Sequence, residues 1–74
     1  MITLNRVKQG AIVEVVKVNG EGSSLRRRLL DMGITPKTKI KFLRTAPLGD
    51  PIEIVVRGYA LTLRKEDAML VEVI

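Results

Sequence analysis

The chain has 74 residues, no Cys and no His, and carries 13 basic against 8 acidic side chains, a net charge of +5. That length holds one small domain, residues 1–74, whose core supplies a net stability on the order of 3–5 kcal/mol. The composition excludes disulfides, thiolate nucleophiles, Cys/His zinc sites and imidazole bases, and with them most hydrolase and redox mechanisms.

Leu4, Val7 and Gly10 stand three apart, which suits one helical turn that docks two apolar side chains and breaks at the glycine. Ile12-Val13-Glu14-Val15-Val16-Lys17-Val18 is β-branched and predicts a strand. Both of its faces carry apolar residues, so both are expected to be covered. Asn19 to Gly22 is loop. Ser23 or Ser24 can cap the next segment, where Leu25, Leu29 and Met32 at i, i+4 and i+7 mark one face of a short helix. Gly33 suits its left-handed stop, with Ile34 packing back on Leu29, and Pro36 prevents continuation.

Lys39 to Arg44 alternates, with Ile40 and Phe42 inward. Pro47-Leu48-Gly49-Asp50-Pro51 is a turn. Ile52 to Arg57 and Tyr59 to Leu63 alternate around Gly58 as a hairpin, with Tyr59, Leu61 and Leu63 expected on one inward face. Arg64 to Ala68 reads as one helical turn, and Leu70 to Ile74 as a last strand. The prediction is five short strands with one helix between the first and second. So small a sheet curls on itself and loses its edges. The expected fold is all-β with a short helical insertion: a small SH3-like β-barrel, with an OB-like barrel as the alternative.

Gly20-Glu21-Gly22-Ser23-Ser24 falls short of a dinucleotide fingerprint, because Leu25 stands where the third glycine belongs. A loop and an N-cap account for it. Arg26, Arg27 and Arg28 follow. They either form a solvated face or hold a phosphate or a partner carboxylate. Cations near a helix start and Asp31 near its end both oppose the macrodipole, and Asp31 is expected to regain something by pairing with Arg27. The Leu25–Leu29–Met32 stripe is either core or the apolar face of a helix that meets another protein. Carboxylates do not cluster at a metal-loop spacing, so no metal site is expected. Only Phe42 and Tyr59 are aromatic, few for a binder of single-stranded nucleic acid. No stretch approaches the roughly 18 apolar residues of a membrane span. The opening Met1-Ile2-Thr3-Leu4-Asn5-Arg6 lacks the order of a signal peptide, so a cytoplasmic location is expected.

Four blocks together resemble the FeoA family, the small partners of bacterial ferrous-iron transport. They are Leu4, Val7, Gly10 and the β-branched strand; Leu29 to Pro36 with Thr38 and Ile40; Pro47 to Ile52; and Arg57-Gly58 with Leu61, Leu63, Arg64 and Ala68. The family pattern often has glycine where Lys37 stands, so Lys37 must either sit in a type I turn or accept a left-handed backbone. The resemblance implies an SH3-like barrel and a cytoplasmic, non-enzymatic accessory of FeoB, the membrane permease with a GTP-binding domain. It is also similar to a domain appended to metal-dependent transcriptional regulators. The expected contact residues are Leu25, Arg26, Arg27, Arg28, Leu29 and Met32 on the helix, with Pro47 and Asp50 in the turn. No catalytic residue and no cofactor is expected. The alternative reading of the charge is a small basic barrel that binds RNA or DNA, recognisable by a steep salt dependence.

Overall fold

A computed structural model describes residues 1–74. The β-branched runs become strands and the glycines and prolines separate them. In chain order the elements are β1 (Ile2–Thr3), a 3₁₀ turn (Leu4–Arg6), β2 (Ile12–Val18), α1 (Ser24–Asp31), β3 (Lys39–Thr45), β4 (Ile52–Val56), β5 (Tyr59–Leu63), α2 (Lys65–Ala68) and β6 (Val71–Val73). The strands form one antiparallel sheet in the order β1-β6-β2-β3-β4-β5.

The sheet folds around β2. Ile12 to Glu14 pair with β3, whereas Val15 to Val18 pair with β6. A register shift lies between Val15 and Lys17. An irregularity of this kind changes which face a side chain takes. Val15 and Val18, three apart, are consequently both buried. Strict alternation would have sent them to opposite faces. The two halves of the sheet enclose a core that includes Leu4, Val15, Leu29, Ile34, Ile40, Phe42, Ile54 and Val73.

The helix ends as its residues dictate. Ser23 Oγ accepts the Arg26 N–H at 3.1 Å, the N-cap bond. At the other end the Ile34 N–H donates to Leu29 C=O and the Gly33 N–H to Leu30 C=O. Gly33 has φ +93°, and Leu29 and Ile34 are both buried. This is the Schellman stop predicted from Gly33 and Ile34. Arg57 (φ 53°) and Gly58 (φ 83°) form the two-residue turn between β4 and β5, and both positive angles are those of a type I′ hairpin.

Several expectations are corrected. There are six strands rather than five, because Ile2 and Thr3 pair with Val73 and Glu72. β2 is not covered on both faces: Ile12 is 67% exposed. Tyr59 is 73% exposed although it lies on the side of Leu61 and Leu63, since it sits next to the turn at the hairpin tip. The sheet does not lose its edges, because β1 and β5 end the strand order without pairing to each other. Asp31 makes no ion pair with Arg27; the ion pairs are Arg28–Asp67 and Arg44–Glu53.

Lys37 takes the left-handed backbone, at φ 73°, while its N–H donates to Val15 C=O at 2.7 Å. A left-handed L-residue costs roughly 1–2 kcal/mol, and glycine's extra freedom in the unfolded chain returns about 0.5–1 kcal/mol of that. Lys37→Gly keeps the N–H and is expected to raise the melting temperature by about 2–4 °C, read by circular dichroism. A lowered melting temperature contradicts the strain.

Candidate functional site

The short spacing of the arginines spreads them around α1 and gives each a different task. Arg26 is half-buried and its Nε donates to Val18 C=O at 3.0 Å, tying the helix start to the end of β2. Arg27 is exposed, and its side chain makes no hydrogen bond or ion pair to the rest of the chain. It shares a shallow hollow with Arg26, Ser23 and Asp31. Arg28 reaches Asp67 of α2, Nη2 to Oδ2 at 3.4 Å. The Arg28 side chain is 64% exposed and that of Asp67 only 8%. With one partner so open to solvent, the pair contributes at most about 1 kcal/mol. It also fixes the position of one guanidinium over the junction of α1 and α2.

Asp50 is the second positioning residue. Its Oδ1 accepts the Lys65 N–H at 2.9 Å, which holds the 47–51 turn against the first turn of α2. These contacts create a groove of about 530 Å³ where α1, the turn and the end of β5 converge. Arg28 and Met32 line it from the helix, Asp50 and Pro51 from the turn, and Leu63, Arg64 and Asp67 from the β5–α2 segment. Pro47 lies in an adjoining hollow with Arg44 and Glu53, and the two hollows share Pro51 and Thr62. The hydrogen bond and charge of Glu53 raise the already high pKa of Arg44. That guanidinium stays charged in any working buffer.

The structure therefore brings Arg28, Met32 and Asp50 into one groove, with Pro47 next to it. Arg26 and Arg27 face a separate hollow. Leu25 is half-buried at the helix start. Leu29 is 0% exposed and cannot touch a partner while the domain is folded; its assignment to the contact surface is corrected to core. Helical spacing identified the stripe, but not which member of it lies deepest.

Three features escaped sequence reasoning. Asp67 and Arg64 line the groove, and nothing local links Asp67 to Arg28, which lies 39 residues away. Leu48, between Pro47 and Gly49 at the tip of the turn, is 96% exposed. Lys37, Lys39 and Arg57 surround a hollow of about 460 Å³ with no carboxylate in its lining. There Arg57 Nη2 donates to Thr35 Oγ1 at 3.3 Å and Thr38 Oγ1 at 3.2 Å. No three carboxylates come together at a metal-binding distance, and no helix is long and apolar enough to cross a membrane.

A family model described as FeoA domain matches residues 2–74. The chain belongs to the FeoA family. A curated relative, the Fe(2+) transport protein A/Fe(2+) transporter FeoB fusion protein of Porphyromonas gingivalis, is 36% identical over 70 residues. The match covers 95% of this chain and 8% of that protein, so the chain spans less than a tenth of the relative's length. The solved FeoA-like protein of Clostridium acetobutylicum is 43% identical, with a TM-score of 0.90 over 97% of this chain and 83% of that one. The FeoA of Stenotrophomonas maltophilia, an SH3 domain protein solved with zinc, has a TM-score of 0.87 at 22% identity, over 99% of this chain and 89% of that one. At that identity the likeness carries the fold alone. The fold is the SH3-like, mainly antiparallel β architecture with a helical insertion that the strand pattern implied.

Proposed function

We propose that this FeoA-family chain is a non-enzymatic accessory of bacterial ferrous-iron uptake that acts in the cytoplasm by binding a FeoB-type permease with a GTP-binding domain. The observation that carries the proposal is the Porphyromonas protein, in which a segment 36% identical to this chain belongs to a polypeptide named as a fusion with the FeoB transporter. A covalent link holds two domains at high effective concentration, an arrangement that serves domains which must meet. Such a domain needs a surface with which to dock. The groove residues Arg28, Met32 and Asp50, the neighbouring Pro47, and the Leu25–Arg26–Arg27 end of α1 form that surface.

Arg27 is its most informative member. It is exposed and has no partner within the chain, so its replacement leaves the fold intact. The test is a titration of detergent-solubilised FeoB-type permease with the wild-type chain and with Arg27→Glu. The expected result is at least a tenfold weaker affinity for the variant, with an unchanged circular dichroism spectrum. Equal affinities remove the arginine run from the interface.

A further inference from the structure

The strand order ends on two edges of very different character. β1 is two residues long, too short to template another strand. β5 is five residues long, and its sequence Tyr59-Ala60-Leu61-Thr62-Leu63 has no charge and no proline. Its pairing with β4 is regular from Val56↔Tyr59 to Ile52↔Leu63, with no bulge. Edge strands of this length are normally blunted by a lysine, a proline, a bulge or a covering element. β5 has none of these along its length.

The hairpin dictates which backbone groups are free. A two-residue turn makes Val56 and Tyr59 the first hydrogen-bonded pair. Alternation makes Ile54–Leu61 and Ile52–Leu63 the next ones. The N–H and C=O groups of Ala60 and Thr62 therefore point away from β4. No turn, loop or cap hydrogen bond uses them, and no other strand pairs with β5. Both residues are exposed. Two free donor–acceptor sets, two residues apart, are what an added strand requires. α1 borders this edge without sealing it: the 530 Å³ groove lies between Arg28 of the helix and Met32 at its C-cap on one side and Thr62 and Leu63 of the strand, followed by Arg64, on the other.

Charge selects the occupant. Beyond the hairpin end of β5 stand Arg57, Lys37 and Lys39, around a hollow with no carboxylate. Beyond the other end stand Arg64 and Lys65, with Arg28 across the groove. The two carboxylates in the groove lining are engaged, Asp67 with Arg28 and Asp50 with the Lys65 N–H, and exposed Glu66 on α2, outside that lining, leaves Arg28, Arg64 and Lys65 in excess. A second copy added antiparallel would set Arg57 against Arg64 and Lys65 of the copy, like charge against like. We infer that β5 accepts an extended segment of another protein as an added strand, with about five uncharged residues at its centre and acidic residues at both ends. This rests on the reading that the chain works by protein contact, and it names the chemistry of the segment bound.

The test uses the full chain and a synthetic probe, the acetylated and amidated peptide Asp-Glu-Val-Thr-Val-Thr-Val-Glu-Asp. Amide hydrogen exchange is followed by NMR. At saturating peptide the Ala60 and Thr62 amides are expected to exchange at least tenfold more slowly. The same peptide with lysines for its acids is expected not to bind. Thr62→Pro removes an outward N–H without taking a bond from β4, and should weaken binding at least tenfold. Arg57→Asn suits the left-handed turn, so it preserves the hairpin; it removes the charge along with the bonds to Thr35 and Thr38, and should weaken binding several-fold. Unchanged exchange at both amides with millimolar peptide overturns the inference, and so does equal binding of the lysine peptide. A concentration-dependent dimer that Thr62→Pro disrupts shows a second copy on the edge and overturns the choice of occupant. Since the probe is a peptide, failure here leaves permease binding to be judged by its own titration.

Discussion

Leu29→Asp abolishes the folded state at 25 °C. Leu29 is 0% exposed and its C=O receives the Ile34 N–H of the helix stop, so it anchors both the helix and the chain leaving it. Truncating such a leucine costs about 2–5 kcal/mol. An uncompensated carboxylate in its place adds a penalty of several kcal/mol, since no cation is bonded there. A domain of this size has only about 3–5 kcal/mol to lose. The variant is expected to show a collapsed NMR dispersion and no cooperative melt. It will also fail to bind any partner, for a reason unrelated to contact. A well-folded Leu29→Asp protein contradicts the packing of α1 described above.

Phe42→Ala is the second large effect. Phe42 is 2% exposed and heads the largest fully buried side chains. Its backbone is committed as well, donating to Ala11 C=O and accepting from the Gly10 N–H. The side chain thus fills the core at the place where β3 holds the segment before β2. Removing it costs about 3–5 kcal/mol. At about 4–8 °C per kcal/mol for a domain of this size, the melting temperature falls by roughly 15–30 °C, or the transition vanishes. A fall under about 5 °C shows that the core closes around the gap and that Phe42 is not its centre.

The parts of this fold that were legible are those whose signal is local. A β-branched run marked β2 and period-two alternation marked β3, β4 and β5, each within a residue of its ends. Ser23 or Ser24, Gly33 and Gly58 announced themselves by residue type, since capping and left-handed turns depend on a few neighbouring atoms, whereas Arg57, read as the end of a strand, proves to be the first turn residue. β1 was not legible, because Ile2 and Thr3 become a strand only through pairing with Val73 and Glu72 at the far end of the chain. The exposure of Ile12 and Tyr59 was equally hidden. Periodicity places a residue on a face, but what covers that face is set by distant segments.

The candidate site divides in the same way. The helix residues and the 47–51 turn were visible as separate pieces, one by spacing and one by its prolines. That Arg28, Met32 and Asp50 share a groove depends on Asp67 and Lys65 drawing α1 and the turn toward α2, and nothing in the chain's local pattern encodes that. Leu25, Leu29 and Met32 looked equivalent on one stripe. In the structure Leu29 is core while Leu25 and Met32 remain half-exposed. The open edge of β5 is a property of strand order, which no single segment reveals.

The central claim is that this chain meets a ferrous-iron permease through protein contact. It is tested most directly by tagging the chain in its native host, solubilising the membranes gently and identifying what copurifies with the wild type and with Arg27→Glu. The account predicts the permease with the wild type and its loss with the variant. Recovery of nucleic acid in place of the permease contradicts it, and would make the charge of +5 the mark of a different partner.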